Sequence, residues 1–262
     1  MSRTPNSSLT NALHILKCFS IDYPELTLSD IARCTNISKS TACRLLQTLE
    51  SEGFIHQNGL ENTYRLGSSL MSLAYISINQ FPFLKELTPF LKNLTSFTKE
   101  TSYISLLENQ DVIYLKKEES PFRVQLRSNI GRRNPAYCTG SGLAMLAFLE
   151  EEEINSIFPE ELYQFTTNTI ATREQLHSEL EIVRKQGYAI AKGHYSENII
   201  SIGAPIFNNK KKVIAAITVT GPINRIMINL HKYIEALIKE SYRITNFIKW
   251  REEDVLIEIF TK

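Results

Sequence analysis

Residues 27–49 read TLSDIARCTNISKSTACRLLQTL, and the fold is decided there. Thr27 stands three residues before Asp30, a shortened capping box that starts a helix. Ile31 and Ala32 supply its apolar face. Thr35–Asn36–Ile37 reads as a turn, because Asn takes up the left-handed conformation at modest cost. Ser38 then caps a helix predicted over Lys39–Ser51. Within it Ala42, Leu45, Leu46 and Leu49 recur at helical spacing and mark the buried face. Lys39, Ser40, Thr41, Cys43, Arg44 and Gln47 are left on or near the outer face. Gly53 ends the helix.

Upstream, Leu9–Phe19 is helical by period, with Leu9, Ala12, Leu13 and Leu16 on one face and Ser8 as its cap. The loop Asp22–Tyr23–Pro24–Glu25 stops it. Downstream, Phe54–Gln57 and Thr63–Leu66 read as strands around Asn58–Gly59, a hairpin signal. Helix, helix-turn-helix and hairpin within residues 1–66 make a winged helix-turn-helix. Ser68–Asn79 reads as a linker helix, which Phe81–Pro82 breaks.

Beyond the break the pattern mixes helices and strands. Helices are expected over Phe83–Thr98, from Gly140 to Leu149, from Glu151, and over Arg173–Gln186 and Leu230–Ile248. Strands are expected over Ser102–Leu107, Asp111–Lys117, Phe122–Asn129, Tyr188–Ala191, Ile199–Phe207 and Val213–Thr220. Gly131–Gly142 reads as a loop entering a helix. The pattern is that of an α+β domain with helices on one face of an antiparallel sheet. The expected organisation is a DNA-binding domain at 6–67, a linker at 68–82, a second domain at 83–250 and a tail at 251–262.

Composition excludes several classes. With 43% apolar and 22% charged residues in 262, the chain can bury a substantial core. A net charge of +1 gives no global attraction to nucleic acid, so DNA contact must rest on local placement. Residues 1–66 carry six Lys and Arg against six Asp and Glu, so two copies are expected to engage a palindrome together. The four cysteines, Cys18, Cys34, Cys43 and Cys138, lack zinc or disulfide-framework spacing. The five histidines are scattered, and no metal or cofactor is expected. The polar stretch Met1–Thr10 is no secretory signal, and no apolar run has the length of a membrane span. A cytoplasmic protein with reduced thiols follows.

Taken together, these residues resemble the IclR family of bacterial transcription regulators, over about Ser8–Ile248. The stretches that carry the resemblance are Leu28–Arg33, Ser38–Thr41, Arg44–Leu46 and Tyr64–Gly67. In the second domain they are Gly131–Arg133, Thr139–Gly142, Gly187–Ala189, Ala204–Phe207 and Thr218–Pro222. The resemblance implies a homodimer or homotetramer whose C-terminal domain, similar to GAF domains, binds a small organic molecule. There are departures from the family pattern. Asn36 stands for the usual turn glycine and Cys43 for a His of the recognition helix. In the second domain Ala191 stands for an acidic residue, Asn198 for a glycine and Ser201 for a Cys.

The functional residues follow from these placements. In the third helix Ser38, Ser40 and Thr41 can donate to phosphate, Arg44 can reach guanine, Gln47 can pair with adenine, and Lys39 positions the backbone. In the second domain the small residues Thr139, Gly140 and Ser141 begin a helix whose N–H groups suit an anion. Thr218 and Thr220 share a strand face by period two, and the resemblance puts Ser201 near them. These six are the expected effector contacts. Cys138 beside the helix start could be a reactive thiolate, but free Cys is usually a small buried hydrophobe. Arg123, Arg127, Arg132 and Arg133 form a basic cluster near the loop. The function expected is a DNA-binding regulator, more often a repressor, whose binding to a pseudo-palindromic operator is modulated by a small organic acid. The alternative is an enzyme converting a small molecule, with the winged helix as a protein-contact module. It lacks a Ser-His-Asp, HExxH, P-loop or GxGxxG signature.

Overall fold

In the computed structural model, which describes residues 7–20, 22–79, 82–124, 126 and 128–249, the chain divides into two units, residues 1–82 and 83–262. The expected domain limits at Asn6 and Trp250, Phe81 of the expected break, Arg127 of the basic cluster and the tail 251–262 lie outside the described residues.

The first unit opens with α1 (Ser8–Cys18), capped by Ser7 rather than Ser8: the Ser7 hydroxyl accepts the Thr10 N–H. Ile15 is the fully buried residue of α1, while Leu9 and Leu13 are exposed, so the buried stripe runs through Ala12, Ile15, Leu16 and Phe19. A short strand β1 (Glu25–Thr27), where the sequence reading placed the loop end at Glu25 and a helix cap at Thr27, leads into α2 (Leu28–Thr35). Thr27 and Asp30 form a complete capping box, and Asn36 ends α2 with φ 54° and ψ 40°. Next come α3 (Lys39–Ser51), β2 (Ile55–Asn58), β3 (Thr63–Leu66) and α4 (Ser68–Asn79). The sheet order is β1-β3-β2. Asn58 pairs with Thr63, so the wing turns over Gly59–Asn62 and not over a two-residue Asn-Gly turn. The left-handed residue is Asn62, and the Asn58 side chain accepts the Leu60 N–H, which keeps Asn58 in the strand. Ile15, Ile31, Ala42, Leu45, Leu46, Ile55 and Tyr64 form the core.

Contrary to the expectation of reduced thiols, Cys18 and Cys34 are joined in a disulfide. Their spacing along the chain carries no motif; the packing of α1 on α2 brings them together.

In the second unit the expected helix over 83–98 is split into α5 (Pro82–Glu86) and α6 (Thr88–Thr98). Pro89 is the cause: it has no N–H to continue α5 but suits the first turn of α6. There follow β4 (Thr101–Glu108), β5 (Asp111–Glu118), β6 (Arg133–Pro135), a 3₁₀ turn at Ala136–Cys138, α7 (Gly140–Leu146) and α8 (Glu151–Ile157). The chain continues through α9 (Arg173–Gln186), β7 (Ala189–Lys192), β8 (Ile199–Phe207), β9 (Val213–Pro222), α10 (Ile223–Ile226) and α11 (Leu230–Lys249). One antiparallel sheet runs β6-β5-β4-β9-β8-β7. The expected strand at 122–129 is absent among its described residues. Arg133–Pro135 takes the β5 edge instead, opposite Asp111–Ile113.

Helices cover both faces of this sheet, not one. Alternate residues of β4 show it: Tyr103 joins the core with α7 and α9, while Ile104 joins Leu91, Leu94, Leu237 and Ile244 of α6 and α11. Helix α7 lies directly on β8. A Cβ on Gly203 would fall 2.2 Å from the Gly140 carbonyl oxygen, and one on Gly140 would fall 2.7 Å from that of Ser201. Only glycine permits the approach.

Candidate functional site

The candidate reading surface of the first unit is the outer face of α3. Ser38 caps it: its hydroxyl accepts the Thr41 N–H at 3.2 Å and lies 3.0 Å from the Ser40 hydroxyl and 2.8 Å from that of Thr41. Ala42, Leu45 and Leu46 are buried beneath. Lys39, Ser40, Arg44 and Gln47 are exposed, while Thr41 and Cys43 are half-buried. Upstream, hydrogen bonds from Thr27, with Arg33 beside it, hold the Asp30 carboxyl below the usual range, so the start of α2 carries a fixed negative charge. Arg65 on β3, His56 on β2 and the tip residues Leu60 and Asn62 are also exposed. Sequence reasoning read the wing as shape only and assigned none of them a contact; the basic Arg65 in the wing strand was the available signal.

In the second unit a cavity of about 320 Å³ opens beside the start of α7. That is the lower end of the range for small-molecule pockets. Its wall holds a row across three strands, since Ala191 pairs with Ser201 and Ser201 with Thr220. Thr139, Cys138, Tyr114, Ser128, Asn134, Tyr195, Ser196, Leu126 and Ile199 complete the lining, and no charged side chain is found among the described lining residues. The hydroxyls are held in place. Thr139 Oγ1 accepts the Gly142 N–H at 3.0 Å, and Ser201 Oγ accepts the Gly140 N–H at 2.8 Å. Asn134 Nδ2 donates to the Tyr114 phenol at 3.3 Å. The Tyr103 phenol donates to the Ser128 carbonyl at 3.2 Å and takes the Ser128 hydroxyl at 2.8 Å. Burial pushes the Tyr114 phenol up to about 12, so it stays neutral.

Of the six expected contacts the structure brings Thr139, Ser201 and Thr220 to the cavity. Gly140, Ser141 and Thr218 are not among its lining residues. Thr218 does share the Thr220 face, but it stands opposite Gly203, the residue on which α7 packs. The hydroxyls of Ser141 and Thr218 are buried without a hydrogen-bond partner. The Gly140 N–H, expected to face an anion, is already given to Ser201. Cys138 does line the cavity, but burial pushes its thiol up to about 12, which makes it a neutral wall and not a nucleophile. Arg123 is exposed and Arg133 is paired with Glu108; neither they nor Arg132 line the cavity. Tyr114 was within reach of sequence reasoning through the alternation of β5. Ser128 fell in a run read as a strand that the described residues do not form, and Asn134 and Tyr195 sit in segments without periodicity; none was singled out. Among the described residues no His, Cys, Asp and Glu cluster could hold a metal, and no helix is long and apolar enough to cross a membrane.

Comparison with known proteins bears on both units. A family model described as the IclR helix-turn-helix domain matches residues 8–59, and one described as the bacterial transcriptional regulator IclR C-terminal domain matches residues 76–246. The chain is 32% identical over 222 residues to the HTH-type transcriptional regulator XynR of Escherichia coli, covering 84% of this chain and 87% of that one. It is 27% identical over 229 residues to the transcriptional repressor IclR of the same organism, covering 84% and 81%. A crystal structure of a putative IclR transcriptional regulator from Silicibacter sp. superposes with a TM-score of 0.80 at 27% identity, covering 92% and 96%. These relatives are regulators and not enzymes, which sets the enzyme alternative aside. With a helix-turn-helix that leaves Lys39, Ser40, Arg44 and Gln47 in solvent and a sheet domain built around a small polar cavity, each matched by its own family model, the chain belongs to the IclR family of bacterial transcriptional regulators.

Proposed function

We propose that the chain is a cytoplasmic repressor that binds a pseudo-palindromic duplex operator as a homodimer or homotetramer and is controlled by a compact organic monoanion in the cavity. Ser38, Lys39, Ser40, Thr41, Arg44 and Gln47 form the DNA contact, with Lys39 on the phosphates and Arg44 and Gln47 on base edges. The capped α3 with its polar outer face in solvent is the observation that carries this reading. Association is supported by the apolar side chains that the first unit leaves exposed: Leu9 and Leu13 of α1, and Met71, Leu73, Tyr75 and Ile76 of α4. The name of the E. coli relative supports repression.

The lining argues for the charge of the effector. A buried carboxylate must recover its hydrogen bonds. Tyr114, Ser201 and Thr220 bring hydroxyl protons to the cavity. Without a cation among the described lining residues, one negative charge suits the cavity and two do not. Ala191 leaves the ligand end beside it without a carboxylate partner, which suits a molecule less hydroxylated than a sugar acid.

Thermal-shift screening of monocarboxylates against their neutral amides tests this. A ligand at one hundred times its Kd stabilises by about 2.7 kcal/mol. Thr220→Val should abolish that shift, while Thr218→Val, away from the lining, should keep it. Amides that stabilise equally would sink the anion reading, and an undiminished response of Thr220→Val would sink the cavity assignment.

A further inference from the structure

Cys18 and Cys34 lie where a covalent bond between them acts on the DNA-reading end of the first unit. Cys18 is the last residue of α1, and Cys34 is next to last in α2. Cys34 stands two residues before Asn36 and four before Ser38, the cap of α3. The two Cα atoms are 6.3 Å apart, within the span that a disulfide bridges. Cys34 is exposed and Cys18 half-buried, so small oxidants and thiols reach the pair from solvent.

The unit has a packed apolar core besides the bond. Ile15 and Ile31 are fully buried in a core shared with Ala42 and Leu46, which holds α1, α2 and α3 together. In the reduced form the Cys18 thiol has the His14 carbonyl oxygen 3.4 Å away to accept its proton. Opening the bond thus leaves Cys18 an acceptor for its thiol proton nearby. A protein that acts on chromosomal DNA works among reduced thiols, where disulfides are rare and those that occur are mostly transient or redox-sensing.

The bond restrains the turn. Asn36 gives its N–H to the carbonyls of Ala32 and Arg33, in the same last turn of α2 that holds Cys34. Tying that turn to α1 fixes the geometry from which α3 departs. A reading helix ordered before it meets DNA loses less freedom on binding.

We propose that Cys18 and Cys34 are a reversible oxidation site through which peroxide tightens operator binding and low-molecular-weight thiols relax it. The Cys34 thiolate attacks one oxygen of hydrogen peroxide; the S–O bond forms, the O–O bond breaks, and hydroxide leaves and is protonated to water. The Cys18 thiolate attacks the Cys34 sulfenic sulfur; the S–S bond forms, the S–O bond breaks, and a second water leaves. The two thiols lose two electrons and two protons, and peroxide is reduced to two waters. Reopening proceeds by exchange through a mixed disulfide, which oxidises two small thiols to their disulfide.

The test uses the full-length chain and a duplex that this chain selects from a random library. Alkylation after denaturation should count four thiols in reduced protein and two after stoichiometric peroxide. Fluorescence anisotropy should then show a Kd roughly fivefold or more lower for the oxidised form, a coupling typical of regulated binding. Cys34→Ser and Cys18→Ser should hold the reduced affinity in both buffers. Four thiols after peroxide, equal affinities, a weaker oxidised complex, or a Cys34→Ser protein that still responds each overturns the proposal. Should Cys18→Ser fail to fold, Cys34→Ser, at an exposed position, decides alone.

Discussion

Hydroxyl groups serve both units, in different ways. On α3 the hydroxyls of Ser38, Ser40 and Thr41 form a chain at the surface, around a single backbone N–H. In the second unit Thr139 and Ser201 each hold an N–H of the first turn of α7 below the surface, and Ser141 and Thr218 are buried without partners. The first set is placed on top of a finished core. The second is part of the core. Substitutions on the exposed face of α3 beyond its Ser38 cap should therefore cost binding and leave folding alone, whereas substitutions around the cavity should cost folding first.

Gly203→Ala puts the sharpest strain on that distinction. The new Cβ would meet the Gly140 carbonyl oxygen, a backbone atom that cannot turn aside. We expect a loss of about 3 kcal/mol or more in urea unfolding of the second unit. Gly59→Ala in the wing, where nothing lies within 4 Å, should change stability by less than about 0.5 kcal/mol. Equal midpoints for the two variants would break the comparison.

Arg44→Ala is the counterpart on the open surface. Specific affinity should fall by about 1–3 kcal/mol and preference at one operator position should relax, with the melting curve unchanged. Lys39→Ala should weaken all sequences alike and lower the salt slope by about one. Binding isotherms at two salt concentrations separate them. A lowered melting point for Arg44→Ala would count against the surface being independent of the core.

Ser38→Ala falls between the two classes. Losing the cap should cost about 1 kcal/mol of stability in the first unit, read by chemical denaturation, together with a phosphate contact. A cost near zero would mean that Ser40 or Thr41 replaces the cap.

The smallest effect expected is one of pH. Burial lowers the His194 pKa, and its Nδ1 is buried without a hydrogen-bond partner. The folded value lies below the unfolded one of about 6.5, so folding favours the neutral ring. The contribution is fully present above that pH and is lost as pH falls through the depressed folded value. Thermal melts between pH 7 and pH 5 should decline more steeply for the parent than for His194→Gln. Parallel slopes would show that the ring titrates normally.

The same contrast explains what could be read from the sequence. Helices α3, α4 and α9 and strands β3 and β8 begin and end at the residues predicted, because each is bounded by its own cap, glycine or periodicity. Strands β1 and β6 were missed because each is three residues long and exists only through its partner, β3 in one case and β5 in the other. The residues proposed to face DNA fall within ten consecutive positions, so a helical wheel suffices to group them. The cavity gathers residues from Tyr114 to Thr220, and the row Ala191, Ser201, Thr220 exists only in the cross-strand register. Thr220 was legible from alternation and Thr139 from its small-residue loop, while Ser201 came through family resemblance. Thr218 stands outside the cavity lining because period two gives the face of a strand and not what lies on it. The Cys18–Cys34 pair was hidden for a similar reason: it depends on how α1 meets α2.

The glycine contact between α7 and β8 has a consequence for how such proteins diverge. Where Gly140 and Gly203 meet, main chain lies against main chain, and no side chain at either position can be exchanged to alter the cavity. That contact beside the cavity is fixed as backbone geometry. The walls are side chains on separate strands and loops, such as Ala191, Ser128 and Tyr195. A change of lining can thus come from the walls alone, and the α7–β8 contact admits none.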